Sequence, residues 1–446
     1  MAEPPRVIPK RAVASWILYD LANVIFTMGV ISLKFPLYVR EAVGPQRADS
    51  MYGAITSVAM GVMFLLSPLL GAMTDRARRR MPFLIWATII CCACCAMLAR
   101  GPFQLSAILF VLANGGYQAG VQFYDSLLPE VTTEANRGRI NGLAVGLGYI
   151  GSYIAIGIGV VLGSTDHGFP FATYFMVVAV LFLLIALPCF LFVGERGNPA
   201  PRPVWTWPAI RESVAGTIAT LRAGHRYPGL LRFLVGRAFY TDAINTVISF
   251  MSLYTVNVAV ATGLTQEQGR QRADIVLAAA VTAAIFGGVT WGYVVDRIGP
   301  RRTLRIILGC WLATFALAAG VGFLRLPIGW LYLVACAAGM SLGGTWAADR
   351  PFMLRLTPPD RVGEFYGLYG MVGRFSAVTG PALWGVTTWL LVERSGLPEL
   401  TGEAAAVVTL LAMVVVSVLI LRPVTDTPRD WDALRTAAGP PRAAAS

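Results

Sequence analysis

Charge is scarce in this chain. Asp, Glu, Lys and Arg make up 13% of its 446 residues, about half the share typical of a soluble domain. A soluble fold of this length needs a polar skin that so few charges cannot supply. Histidine is scarcer still: His167 and His225 are the two copies, and neither stands in an apolar run. Imidazole catalysis and imidazole proton relay are therefore excluded, and any proton traffic has to use carboxylates. The chain also lacks a Walker loop, a catalytic triad and any metal-ligand spacing. Its seven cysteines fall inside apolar runs, and Cys91-Cys92-Ala93-Cys94-Cys95 would spread its thiols around a helix as small packing residues. No enzyme, cofactor or metal is expected.

Apolar residues are abundant instead, at 56%. They recur in runs near the ~20 residues that cross a bilayer as a helix, and in lipid such continuous runs have to satisfy their own backbone groups as helices. The predicted spans are 13–39, 52–73, 82–99, 104–128, 141–162, 170–193, 230–258, 274–295, 303–322, 328–349, 365–391 and 403–422. This is an all-α integral membrane protein of about twelve helices. The first run follows Lys10-Arg11 and is too long for a signal-peptide core, so it is expected to be retained. The longest interruption, Gly194–Pro228, separates an N-terminal six-helix half (1–193) from a C-terminal half (229–446) with a short tail. A surface helix is expected in this linker over Trp207–Leu221.

The net charge of +12 does not point to nucleic acid, because the arginines sit in short loops beside apolar runs. Such placement orients membrane proteins, with positive loops inside. Arg76, Arg78, Arg79, Arg80, Arg137, Arg139, Arg297, Arg301, Arg302, Arg350, Arg355 and Arg361 all fall on one side if the N-terminus is inside. Both termini and the linker are then cytoplasmic, in a cell inner membrane. The expected partners are the lipid bilayer and a small-molecule substrate, with no nucleic acid and a monomer as default.

The halves repeat. Gly71-Ala-Met-Thr-Asp75-Arg76 ends span 2, and Gly292-Tyr-Val-Val-Asp296-Arg297 ends span 8, at an offset of 221 residues that also carries Tyr19 onto Tyr240. Gly115-Gly116 before Pro129 matches Gly343-Gly344 before Pro358, and Gly142 and Gly148 match Gly367 and Gly373. Parallel repeats of this kind mark one class of secondary transporter. The two loops, the first extended by Arg79 and the second by Arg301, resemble the signature loop of the major facilitator superfamily. That resemblance implies the major facilitator fold, two pseudo-symmetric six-helix bundles. A gate suits the residues: Gly71 and Gly292 let helices approach closely, Asp75 and Asp296 can accept hydrogen bonds at a neighbouring helix N-terminus, and Arg76, Arg79, Arg297 and Arg301 can pair with acids. The plainer alternative is that these residues only set topology.

A narrower resemblance covers most of the chain. Trp16-Ile-Leu-Tyr19-Asp20-Leu-Ala-Asn23, Phe123-Tyr124-Asp125-Ser-Leu-Leu-Pro129-Glu130, Phe239-Tyr240-Thr241-Asp242 and Glu364-Phe365-Tyr366-Gly367 are similar to the vacuole-effluxer branch of that superfamily, related to yeast autophagy-linked amino-acid exporters. The chain departs from that branch at Asp349-Arg350-Pro351, where a Ser commonly precedes the Arg. The resemblance implies efflux of small polar or zwitterionic solutes such as amino acids. Two other readings stay open. One is export of amphipathic drugs or lipids, suited to Trp16, Tyr19, Tyr117, Tyr124 and Tyr240. The other is a non-transporting receptor or assembly factor of the same fold.

Ionisable groups within spans are costly, so each is a functional candidate. Asp20 and Asn23 share one helix face about 10 Å from the cytoplasmic end, and Asp242 and Asn245 repeat that spacing in span 7. They are candidates for a substrate or proton cavity, or for structural pairing. Arg374, near mid-membrane in span 11, suits a carboxylate or phosphate, or else pairs with an acid such as Asp242. Gln118 belongs to a polar stripe in span 4 with Asn114, Tyr117 and Gln122. Asp125 and Asp349, near cytoplasmic span ends, are expected to pair with the arginines there, and Lys34 to reach outward.

Overall fold

The computed structural model describes residues 8–163, 169–204, 206–222, 227, 229–375, 379–427 and 431. His167, His225, Pro228 and the tail arginines Arg429, Arg435 and Arg442 lie outside the described residues. Among those described, the chain is helical throughout. Twelve rods run in order: α1 (Lys10–Val43), α2 (Pro45–Arg76), α3 (Met81–Ala96), α4 (Phe103–Ser126), α5 (Arg137–Gly163), α6 (Phe171–Phe192), α7 (Leu230–Ala261), α8 (Gln266–Ile298), α9 (Pro300–Phe323), α10 (Gly329–Arg355), α11 (Val362–Arg394) and α12 (Glu399–Leu421). Ten are long and apolar enough to cross a membrane. The exceptions are α3, with 16 residues, and α4, which carries the amide stripe. A single helical turn, Leu128–Val131, follows α4, and the linker holds the expected surface helix at Trp207–Arg222.

Several rods run past their apolar cores, because local signals end them rather than hydropathy. Gly44 (φ 83°) and Gly299 (φ 87°) take left-handed backbone that stops α1 and α8. Pro45 and Pro300 then open the next helices, where a missing N–H does no harm. Within α1 the stretch Thr27–Lys34 widens to a π-helix, and α11 does the same over Trp389–Arg394. The outer surface is apolar, with Leu65, Trp86, Val161 and Leu191 each more than 60% exposed. Water would not tolerate so wide a greasy band on a monomer, whereas lipid requires it.

The packing scheme is the repeat made visible. In the first six helices α1 packs on α5 and α6, α3 on α4 and α6, and α2 on α4. In the last six, α7 packs on α11 and α12, α9 on α10 and α12, and α8 on α10. The two bundles meet through α2 on α11 and α5 on α8, flanked by α4 on α11 and α5 on α10. Each of these four cross-bundle contacts thus has its counterpart in the repeat. This is the major facilitator fold.

Candidate functional site

At the Arg-rich end, the two repeat loops make the same contact twice. Asp75, at the end of α2, accepts the backbone N–H groups of Gly363 and Glu364, both at 2.7 Å, at the start of α11. Asp296, at the end of α8, accepts those of Gly138 at 2.6 Å and Arg139 at 3.1 Å, at the start of α5. The first N–H groups of a helix have no partner within it and carry its positive dipole end, so a carboxylate fits there. The glycines make the approach possible. A methyl added at Gly71 would overlap the Gly363 carbonyl, and one at Gly142 would overlap that of Gly288. Gly292 lies against Gly138 and Gly142 in the same way.

Around these contacts the arginines divide. Arg80 pairs with Asp75 at 2.9 Å and Arg76 with Glu212 of the linker helix at 2.8 Å. Arg301 donates to the Arg422 carbonyl at 2.9 Å. Arg79 and Arg297 are exposed to solvent. Glu195 of the linker accepts the N–H groups of Arg80 (2.6 Å) and Met81 (3.0 Å), which open α3. Burial pushes its carboxyl above the ordinary value, and those two hydrogen bonds pull the other way. A cavity of about 1180 Å³ opens at this end beside the linker, walled by both signs of charge, among them Arg76, Arg361 and Glu212.

Deeper in, three buried carboxylates have very different company. Asp349 of α10 is saturated: Arg237 Nε lies at 2.9 Å, and the hydroxyls of Tyr240 and Tyr369 both donate to it. Asp20 of α1 and Asp125 of α4 share one cation, Arg350 of α10, at 3.5 and 3.0 Å. Arg350 also reaches Asn141 Oδ1 of α5 at 3.4 Å. The sequence predicts pairing of Asp125 and Asp349 with the Arg-rich loops; in the structure their partners, Arg350 and Arg237, lie within α10 and α7.

Arg374 of α11 is 8% exposed and reaches across to the first bundle. It donates to Ser67 Oγ of α2 at 2.7 Å and to the Gln118 carbonyl of α4 at 3.1 Å. Its Nε has no acceptor, and no carboxylate pairs with it among the described residues. The alternative of a pair with Asp242 is not what the structure contains. Asp242 accepts from the Gly380 N–H at 2.8 Å and from the Thr379 hydroxyl, both of α11. Asn245 is half-buried one turn on. Asn23 is 3% exposed, and neither of its amide atoms has a hydrogen-bond partner. Lys34 lies 3.9 Å over the ring of Phe169.

Arg237, Ser67 and Glu403 escaped the sequence. Arg237 stands in the first third of predicted span 7, so counting intramembrane cations would have found it. Glu403, 2% exposed and bonded to Asn257 at 2.9 Å, fell on the predicted edge of span 12 and passed as a terminal residue. Ser67 gave no signal, since a serine inside a span is commonplace. Of the aromatics named for an amphipathic cargo, Trp16 and Tyr19 stack on Tyr124 at 4.5 and 5.1 Å, all fully buried inside the first bundle. No group of three or more His, Cys, Asp or Glu that could hold a metal occurs among the described residues.

Known proteins share this architecture. The chain is 25% identical over 424 residues to an uncharacterised major-facilitator-type transporter, YxiO, of Bacillus subtilis, covering 91% of this chain and 93% of that one. It is 23% identical over 444 residues to autophagy-related protein 22 of Eremothecium gossypii, covering 85% of each. Among solved structures, a bacterial homologue of the iron transporter ferroportin in an outward-facing state superposes with a TM-score of 0.67 at 16% identity, over 95% of this chain and 99% of that one. The proton:xylose symporter XylE superposes with a TM-score of 0.65 at 13% identity, over 92% and 93%. The family described as vacuole effluxer Atg22 like matches residues 38–429. With that match over most of its length, the chain belongs to the Atg22-like vacuole effluxer family of major facilitator transporters.

Proposed function

We propose that this transporter exports small zwitterionic or carboxylate-bearing solutes, amino acids being the leading case, by proton-coupled alternating access. One observation carries the reading: a buried guanidinium between the two bundles with no counter-ion among the described residues. A charge at that depth is expensive unless paired, and Arg374 uses two of its five N–H donors on neutral oxygens. The remaining donors include Nε, on the edge that grips a carboxylate with two parallel bonds. The polar stripe with Gln118 supplies a wet wall beside it. The family name supports efflux as the direction.

In this reading residues 1–193 and 229–446 rock about the central site, with 194–228 as the tether, in a monomer. The Arg-rich end faces the cytoplasm of a cell inner membrane, and the Asp75 and Asp296 contacts form the inner gate. Asn23, Asp242 and Asn245 border the path on α1 and α7. The test is radiolabelled amino-acid counterflow in proteoliposomes, with and without an imposed pH gradient. Arg374→Ala should abolish flux, and Arg374→Lys should lower it at least about tenfold, since an ammonium cannot reproduce a planar fork. Wild-type flux in Arg374→Ala would remove the site. No flux of any amino acid by the wild type would favour a non-transporting role.

A further inference from the structure

The charge count around Arg350 does not close. Asp20 and Asp125 are 6% and 3% exposed, and one guanidinium serves both. Asp125 Oδ1 stands 3.0 Å from Arg350 Nε, yet accepts no hydrogen bond. The other nearby ions, Arg237 and Asp349, already neutralise each other at 2.9 Å. The remaining groups facing the pair are the hydroxyls of Tyr117 and Tyr124 from α4, Tyr149 from α5, and Tyr366 and Tyr369 from α11, with the Cys189 thiol of α6 beside Tyr124. Such groups ordinarily ionise well above neutral pH, so they cannot balance the deficit.

Two further polar groups point to something absent from the protein's own hydrogen bonding. Asn23, one turn from Asp20 on the same face of α1, has an amide unsatisfied at both atoms. The Tyr124 ring lies 5.7 Å from the Arg350 guanidinium, and its fully buried hydroxyl has no partner. Buried polar groups are rarely left so, and here two of them flank an under-neutralised carboxylate pair.

We propose that Asp20 and Asp125 together hold one exchangeable proton while the inner gate is closed, with Arg350 as the switch that releases it. A proton from water adds to a carboxylate oxygen and leaves one carboxylate facing one guanidinium, a neutral pair that can stay buried. Opening separates α10 from α1 and α4, hydrates all three groups and lets the proton leave to the cytoplasmic water. Arg350 belongs to the second bundle and both acids to the first, so the proton is tied to the movement between them. Asp349 and Arg237 travel together within one bundle and cannot report it. This assignment rests on the alternating-access reading above and names its proton site.

The test needs no substrate. Hydrogen exchange of the gate amides at Gly138, Arg139, Gly363 and Glu364 is followed in lipid nanodiscs from pH 5.5 to 8.5, corrected for the intrinsic rate. In the wild type the opening constant should rise with pH by up to ~10-fold per unit, the limit for one proton. Asp20→Asn and Asp125→Asn should each flatten that slope, and either alone decides the matter if the other does not fold. Glu403→Gln, a buried carboxyl elsewhere, should keep it. A flat wild-type profile, a full slope in both Asp variants, or a response to sodium at constant pH would overturn the proposal. Amino-acid flux with a flat profile would sink this site alone, whereas a slope without flux would sink the transport reading and leave the site standing.

Discussion

The two aspartate contacts at the Arg-rich end share one design and differ in strength. Asp75 holds the start of α11 with two hydrogen bonds of 2.7 Å, pairs with Arg80 at 2.9 Å, and has its own carbonyl gripped by the linker's Asn198 at 2.8 Å. Asp296 holds the start of α5 at 2.6 and 3.1 Å, and its arginine, Arg139, is half-exposed and 3.7 Å away. The linker leaves α6 and passes the α2–α3 loop, where Arg202 N–H donates to the Arg76 carbonyl at 2.9 Å; the segment after α12 does the same at the start of α9, where Asp426 accepts the Arg301 N–H at 3.3 Å and the Arg422 carbonyl accepts from the Arg301 guanidinium at 2.9 Å. A duplicated motif has thus become one tighter and one looser contact, and the looser one, with its arginine 3.7 Å away, should yield first.

The glycines offer the hardest blow to this comparison. Gly71→Ala and Gly142→Ala each place a methyl where a carbonyl already stands, so neither gate contact should close. Amide exchange at residues 363–364 or 138–139 should approach the unprotected rate, with the protein still inserted. Equal protection in both variants would mean that the helices can slide past the clash.

Charge removal comes next. Asp75→Asn leaves one oxygen for two amides and strands Arg80 half-buried, a loss of about 2 kcal/mol, or ~30-fold in opening. Asp296→Asn should cost about 1 kcal/mol, because its arginine is already in water. The order would reverse if the linker plays no part in bracing α2. Cysteine accessibility at the two helix starts would read it.

The smallest effects test the bracing itself. Arg80→Gln should loosen the α2 contact by about 1 kcal/mol, while Arg139→Gln should leave the α5 contact within error. Glu212→Gln, which frees Arg76 from an exposed partner, should alter exchange at residues 363–364 only slightly and fade entirely in high salt.

Much of the paired aspartate contact was legible beforehand because it is local. A glycine four residues before an aspartate, twice at one offset, names both the close approach and the acceptor. What it could not name was the recipient, since Gly363 and Gly138 lie far off in sequence. The buried charges were legible as costs and not as partners. Asp20 and Asp242 open the same spacing to an asparagine in spans 1 and 7, yet one faces Arg350 across the bundles and the other accepts from Thr379 and Gly380 of α11.

The sequence alone determined membrane residence, the run of helices, the repeat and the loops that carry the two aspartate contacts. Each is written in short-range pattern: apolar runs of bilayer length, glycine and proline at helix ends, arginine beside the spans. Only the tertiary structure decided that Arg350 serves two carboxylates, that Asp349 is saturated by Arg237, Tyr240 and Tyr369, and that Arg374 is left without an acid. Neutralisation inside a membrane depends on which helices face one another and at what depth. That is set by packing between bundles more than two hundred residues apart in the chain, where no local pattern reaches.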